Sequence, residues 1–231
     1  NGIEYLSKLA QDCGKGVYCG VRARQLLLRL GLLYSENLER GGNVGGAFKT
    51  AKKLALLLDD DRLAAYAYRR LASLAHKLGK IVPLVKEIEK SDMKSGRQAL
   101  YWYVNALLSS YYYDLKSQSD FARIEERLDR SINMDSMSAP PRLLRGWLLE
   151  IKEFYLGVEG KGCLEDAIKE YETARELHER ALSISFEADV SLNLGNAYYL
   201  LNNRFSWAYR FYKERLDLSV PFASDDQRLI F

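Results

Sequence analysis

Apolar residues recur at steps of three and four positions along almost the whole chain, the spacing that places them on one side of an α-helix. One such stripe is formed by Leu26, Leu27, Leu30, Leu33 and Tyr34. The alternation of apolar and polar residues that indicates a β-strand is hard to find. The pattern therefore predicts an all-α protein.

Helix-breaking and helix-capping residues divide this pattern into pairs of helices. Asp59-Asp60-Asp61 predicts a helix start, because acidic side chains accept hydrogen bonds from the free amide groups there. Gly79 closes that helix, and Pro83 lies in the first turn of the next one. About eleven helices result. The other predicted breaks are Gly14, Gly16 and Gly20, Gly41-Gly42 and Gly45-Gly46, Ser91–Gly96, Asp114–Asp120, Pro140-Pro141, Gly157–Gly162 and Asn202-Asn203.

A short motif occurs twice at helix-pair spacing. Residues 30–34 and 194–198 both read L-G-x-x-Y, and Ala47 and Ala208 open the helices that follow. The motif resembles the tetratricopeptide repeat (TPR), in which a small residue lets two helices approach closely and aromatic residues fill the space between hairpins. The resemblance implies a right-handed α-α superhelix of about five antiparallel helix hairpins, with an extra N-terminal helix.

Five units can be aligned on their small positions, at Gly31, Ala72, Leu108, Tyr155 and Gly195. They form a single predicted domain over 1–231, with units 22–58, 60–91, 96–133, 140–184 and 187–218 and a capping segment at 219–231. The steps between units are longer than the standard 34 residues. HEAT- or armadillo-like helix pairs are therefore the alternative, followed by a helical bundle without repeats.

Composition excludes several classes of protein. The chain of 231 residues has 34 Lys and Arg against 31 Asp and Glu, a net charge of +3 that does not by itself imply nucleic acid. It is too apolar for a disordered chain, and it has no uninterrupted apolar run long enough for a membrane span. The sequence begins at Asn1 without a signal-peptide pattern, so we expect a cytoplasmic fragment of a longer protein.

No constellation of residues indicates catalysis or a cofactor. Cys13, Cys19 and Cys163 do not have zinc-ligand spacing with either histidine, so no metal is expected. Cys13 and Cys19 form either a disulfide or, in the preferred interpretation, two free thiols. The Gly-Lys-Gly segments at 14–16 and 160–162 do not match a phosphate-binding loop. His178 lies among charged residues and is expected on a solvated helix surface. We therefore predict that the chain is not an enzyme.

The resemblance to TPR arrays implies a concave groove lined by the first helix of each pair. Groove positions fall three before, one after, and four to five after the small residue. The main candidates are Arg69, Ser73, His76, Lys77, Asn105, Tyr112, Lys152, Asn196 and Tyr199. Further positions are Leu28, Leu32, Ser35, Ser109, Tyr113, Leu156 and Leu192. This mixture of cations, amides and aromatic rings suits an acidic or carboxylate-bearing peptide.

The best functional hypothesis is therefore a protein-interaction scaffold, with self-association left open. One alternative is a sensor or oligomerisation module of a larger signalling or transcription-regulatory protein. A second is nucleic-acid binding along a basic first half, which carries Arg22, Arg24, Arg29, Lys49, Lys52, Lys53, Arg69 and Arg70. The aromatic-rich segment 101–113 is the first place to look for a binding surface, because Tyr and Trp are frequent hot-spot residues.

Overall fold

A computed structural model describes residues 8, 17–112, 117–156, 162–179, 182–201 and 204–219, without the side chains of 17–20, 156 and 219. Within these ranges the chain forms helices and turns and no β-strand, which confirms the all-α prediction. The eleven helices described are α1 Val17–Arg40, α2 Val44–Leu57, α3 Asp61–Lys77, α4 Ile81–Glu89, α5 Met93–Gly96, α6 Gln98–Tyr112, α7 Gln118–Met134, α8 Ala139–Leu156, α9 Cys163–Leu177, α10 Ile184–Leu200 and α11 Phe205–Ser219.

Each predicted unit corresponds to one pair of consecutive helices. The pairs are α1 with α2, α3 with α4, α6 with α7, α8 with α9, and α10 with α11. The predicted extra N-terminal helix falls in residues 1–16, where only Lys8 is described, and the capping segment lies almost wholly outside the described residues. The question of a disulfide between Cys13 and Cys19 also lies outside the described side chains.

The chain divides into two compact units, Asn1–Pro141 and Arg142–Phe231. In the first unit, α1 packs against α2 and α3, α3 packs also against α2, α4 and α6, and α6 packs against α4, α5 and α7. The first helices of successive pairs (α1, α3 and α6) therefore touch one another in chain order. In the second unit, α10 packs against both α9 and α11.

Two helix boundaries follow the capping chemistry expected from the sequence. Asp60 caps α3, with its Oδ1 accepting a hydrogen bond from the Leu63 amide at 3.1 Å. Gly79, at φ +64°, ends the same helix in the left-handed conformation that glycine adopts without strain, and Pro83 lies in the first turn of α4.

Three predicted breaks are wrong. Gly20 lies inside α1, and Gly45 and Gly46 lie in the first turn of α2 rather than before it. Asn43 explains the second case, because its Oδ1 accepts a hydrogen bond from the Gly46 amide at 2.8 Å and starts the helix ahead of the glycines.

The predicted loop Ser91–Gly96 contains the single-turn helix α5. The buried side chain of Met93 holds this turn in place, since its sulfur accepts a hydrogen bond from the Tyr68 hydroxyl at 3.5 Å.

Glycine allows close helix contact in three of the pairs. A Cβ added to Gly31 would come within 2.8 Å of Leu54 Cδ1, and one added to Gly195 within 2.6 Å of Tyr212 Cε1. Both are positions that the repeated motif predicts as small. In the pair formed by α8 and α9, the glycine in contact is Gly146, which lies against the ring of Tyr171. Tyr155, the predicted small position of this pair, is 56% exposed and does not occupy the interhelical contact.

Candidate peptide-binding faces

Helix α3 is buried around most of its circumference and open along one stripe. Ten of its residues are buried, including Tyr66, Leu71, Ala72 and Ala75. The stripe that remains accessible is made of Arg62, Arg69, Arg70, Ser73, His76 and Lys77. All four groove residues that the sequence predicts on this helix therefore lie on the side that a partner can reach.

Arg69 lies close to a buried tyrosine on α6. Tyr103 is 1% exposed, and its hydroxyl has no hydrogen-bond partner among the described residues. Burial raises the pKa of Tyr103, and the positive charge of Arg69 opposes this rise. Arg69 thus adds positive charge near the contact between α3 and α6.

His76 joins the open stripe of α3 to α6. Its ring lies 5.1 Å from the ring of Tyr111, centroid to centroid, at a tilt of 32°. His76 itself is exposed, and Tyr111 is half-buried. The two helices therefore present a continuous surface at this end.

Lys77 belongs to an ion-pair cluster that the sequence could not show. Its Nζ lies 2.5 Å from Glu39 Oε1, and Arg70 lies 2.5 Å from Glu39 Oε2. Burial alone would raise the pKa of Glu39, but hydrogen bonds from Lys77 and Arg70 outweigh burial and lower it. Two cations thus share one carboxylate, and the cluster keeps an excess of positive charge.

Asn105 and Tyr112 lie on the accessible side of α6. The Asn105 side chain donates to the Tyr101 carbonyl oxygen at 2.9 Å, a bond within its own helix. Tyr112 is 59% exposed. Ser109, a further predicted groove position, is buried and receives a hydrogen bond from Arg127 of α7. Tyr113 lies outside the described residues.

The groove positions predicted in the first pair are in the core instead. Leu28, Leu32 and Ser35 are 0%, 4% and 0% exposed. Ser35 donates to the Ala47 carbonyl oxygen at 3.2 Å and accepts from Arg70 at 3.2 Å. This side of α1 is covered because α2 and α3 both pack against that helix.

In the second unit, two predicted residues lie on α10 and one on α8. Asn196 Oδ1 accepts a hydrogen bond from the Tyr212 hydroxyl at 3.0 Å. Tyr199 is 54% exposed, and its ring meets the edge of Phe205 at 5.7 Å. Leu192 is also exposed, whereas the side chain of Leu156 is outside the description.

Lys152 is half-buried on α8. It is a groove position only if Tyr155 is the small residue of this pair, and Gly146 occupies the interhelical contact instead.

Glu150 is the residue that sequence reasoning missed. It lies four positions after Gly146, which is a groove position once this glycine is taken as the small residue. Its Oε2 accepts a hydrogen bond from the Tyr171 hydroxyl at 2.7 Å. Burial raises the pKa of Glu150, and this hydrogen bond offsets the rise only in part. The signal that could have indicated Glu150 is Gly146, a glycine within an apolar helix that does not belong to an L-G-x-x-Y motif.

The expectation for His178 is wrong. It is 7% exposed, and its ring packs 4.7 Å from the ring of Phe186 in α10. It lines a cavity of about 310 Å³ together with Arg175, Glu176, Glu187 and Val190. The chain turns after α9 and brings the imidazole against Phe186 in the first turn of α10, a contact across eight positions that the charged neighbours of His178 do not indicate.

Among the described residues, no group of three or more His, Cys, Asp or Glu side chains is arranged to hold a metal ion. None of the described helices combines the length and the hydropathy needed to cross a membrane. No model of a known protein family matches the chain, and comparison with curated proteins finds no similar sequence.

Proposed function

We propose that the protein is a non-enzymatic interaction scaffold with a TPR-like superhelical arrangement, and that its first unit binds an acidic segment of a partner protein. The binding surface is the α3–α6 face, defined as Arg69, Ser73, His76, Asn105 and Tyr112. The observation that carries this proposal is the burial of α3, which leaves one open stripe bearing Arg69, Ser73 and His76 together.

The packing order of the first unit supports a superhelical arrangement. In TPR-like arrays the first helices of successive hairpins stack on one another and line one side of the array. Helices α1, α3 and α6 contact each other in this order, with α2 and α4 packed between successive pairs. A partner segment lying across α3 and α6 would meet residues from two neighbouring pairs.

Charge favours an acidic partner. Arg70 and Lys77 share the single carboxylate of Glu39, and Arg69 adds a third cation on the same helix. Complementary charge accelerates association and suppresses wrong partners, and charge-assisted hydrogen bonds fix carboxylates in place.

Aromatic side chains supply contact area beside these charges. Tyr112 is more than half exposed, and Tyr111 is already held by its contact with His76. Tyrosine presents a large rigid surface with a polar tip and loses little conformational entropy on binding.

Nucleic-acid binding is the weaker candidate because several cations of the basic first half are in ion pairs. Arg24 lies 2.8 Å from Asp59 and Lys52 lies 2.7 Å from Glu87. Arg62 is paired in the same way with Asp135 at 2.8 Å. Intramolecular pairing of this kind lowers the number of cations that can neutralise phosphates.

The test is the binding of a fluorescent peptide of alternating glutamate and leucine, measured by anisotropy at several salt concentrations. We expect R69E to weaken binding about tenfold or more, since it replaces a charge-assisted contact by repulsion. The matched control is R123E, which makes the same change at an exposed position of α7. Equal affinity of R69E and R123E would overturn the assignment of this face, and stronger binding of single-stranded DNA than of the peptide would favour the nucleic-acid alternative.

A further inference from the structure

Helix α2 carries positive charge and no acidic residue. Its sequence contains Lys49, Lys52 and Lys53 and neither Asp nor Glu. The side that packs inward consists of the buried residues Ala47, Thr50, Ala51, Leu54 and Ala55. The lysines lie on the opposite side of the helix, where Lys49 is exposed and the other two are half-buried.

Leu56 lies among these lysines. At 66% exposure it is the most exposed leucine of the described residues. Lys49, Lys52 and Lys53 precede it by seven, four and three positions, and residues at these spacings share one side of a helix. Helix α2 therefore presents an apolar side chain surrounded by cations.

Two side-chain contacts hold helix α4 beside this surface. Lys52 Nζ lies 2.7 Å from Glu87 Oε2 of α4. Lys80, directly before α4, places its Nζ 5.2 Å from the centre of the Phe48 ring of α2, a cation–π contact. The lysines of α4 therefore extend the positive surface of α2.

The positive charge of the combined surface is not cancelled within the chain. Four of its lysines form no ion pair with the described residues: Lys49, Lys53, Lys86 and Lys90. Of the two acids in α4, Glu87 is paired with Lys52, and Glu89 offsets one lysine. Asp59, close to the end of α2, is paired with Arg24 at 2.8 Å. The surface thus keeps an excess of positive charge.

An anionic lipid bilayer matches both properties of this surface. Clustered lysines are attracted to negatively charged head groups, and an apolar side chain between them enters the boundary of the acyl chains. A nucleic acid would use the lysines but leave Leu56 in water. Nucleic-acid sites also use arginine at base edges and aromatic rings that stack on bases. The ring of Phe48 is half-buried and lies under Lys80 instead.

We propose that the α2–α4 face, defined as Lys49, Lys53, Leu56, Lys86 and Lys90, docks on the surface of an anionic lipid membrane. The docking is peripheral: the lysines contact the head groups, and Leu56 enters the layer beneath them. The α2–α4 face shares no residue with the α3–α6 face, so the failure of either proposal leaves the other standing.

The test is co-sedimentation of the full chain with two kinds of vesicle, phosphatidylcholine alone and phosphatidylcholine mixed with phosphatidylserine. We expect binding only to the vesicles that contain phosphatidylserine, and this binding should weaken as the salt concentration rises. K49Q/K53Q should weaken it about twentyfold or more, because each lysine close to a charged bilayer contributes roughly fivefold. L56A should weaken it about fivefold, since apolar side chains add to interfacial binding.

Matched controls come from the second unit. K169Q/K213Q removes the same charge at two exposed lysines, and L216A shortens an exposed leucine of α11. Both should bind the vesicles like the wild type, and circular dichroism should show an unchanged fold in all variants. Equal losses in the controls, full binding by K49Q/K53Q or by L56A, equal binding to the neutral vesicles, or tighter binding of duplex DNA than of the anionic vesicles would each overturn the proposal.

Discussion

The ring of Tyr212 lies directly against Gly195, so that a Cβ added to this glycine would come within 2.6 Å of Tyr212 Cε1. Tyr171 stands in the same relation to Gly146. In both pairs the tyrosine passes over the glycine, and its hydroxyl then bonds a polar residue of the first helix, Asn196 or Glu150. The close approach of the helices and the orientation of the candidate binding residues therefore have one origin.

Replacing Gly195 with alanine should destabilise the protein. The new methyl group would overlap the ring of Tyr212, which the hydrogen bond to Asn196 holds in place. Overpacking of this kind outweighs the gain in helix propensity by about 1–2 kcal/mol. The measurement is urea unfolding followed by circular dichroism. The control is G45A, at a helical glycine with nothing within 4 Å of an added Cβ, which should stabilise by about 0.5–1 kcal/mol. Unchanged stability in G195A would contradict this prediction, because the two helices would then accommodate the added methyl group without loss of packing.

Glu150 should make the protein less stable as the pH rises. Its pKa is raised by burial above the ordinary 4.5, so between the two values the folded state binds more protons than the unfolded state. The free energy of unfolding therefore falls as the pH rises from below 4.5 to above the pKa of the folded state. The tyrosines near Glu150, Tyr171 and Tyr212, remain neutral in this range because their pKa values are raised.

E150Q should flatten this part of the pH profile, which urea unfolding at a series of pH values measures. The comparison is E172Q, because Glu172 also accepts a hydrogen bond from a tyrosine hydroxyl, that of Tyr198 at 3.0 Å, but is exposed. An equal flattening in E172Q would contradict the role of burial at Glu150. A wild-type profile in E150Q would contradict the raised pKa.

Glu39 should have the opposite effect to Glu150 and make the protein more stable as the pH rises. Its pKa is lowered in the folded state by Lys77 and Arg70, so its stabilising effect is present above 4.5 and is lost as the pH falls through the folded value. At neutral pH, E39Q should cost about 1–2 kcal/mol, because it leaves two cations without their shared carboxylate. Unfolding by urea at neutral and acidic pH tests both statements.

The control for E39Q is E126Q, which breaks the exposed pair of Glu126 with Arg130 four residues later on the same helix. Such pairs contribute only about 0.5 kcal/mol or less. A similar cost for E39Q would mean that solvent screens the Glu39 cluster as well.

Tyr112 should affect binding but not stability. At 59% exposure its removal leaves the core intact, and Y112A should change the free energy of unfolding by less than about 0.5 kcal/mol. Binding of the glutamate–leucine peptide should weaken by about tenfold if Tyr112 is a hot-spot residue of the α3–α6 face. The exposed Tyr209 of α11 offers the matched control, and Y209A should leave the peptide affinity unchanged.

The helices and most of their ends follow from local sequence. Apolar spacing defines the five pairs, and Asp60 and Gly79 mark the boundaries of α3 through chemistry that acts within a few residues. The motif also predicts the contacts of Gly31 and Gly195, since a glycine within an apolar helix has few other uses.

Contacts between distant residues could not be predicted in this way. Glu39 and Lys77 are brought together by the packing of α1 against α3, and nothing near either residue indicates it. Gly146 was missed for a similar reason, because its partner Tyr171 lies on the next helix and the motif around it is absent. The spacing of apolar residues does not show which neighbouring helix covers them. Leu28 and Leu32 are predicted in a groove for this reason, although both are in the core.

Helix α8 begins at Ala139, while the second compact unit begins at Arg142. A fragment cut at Arg142 would lose Pro140 and Pro141, whose rings fix the backbone for a helix start and whose missing amide protons cost nothing in a first turn. A fragment beginning just before Ala139 would keep this start. A fragment made to study the second unit should therefore begin about one helical turn before Arg142.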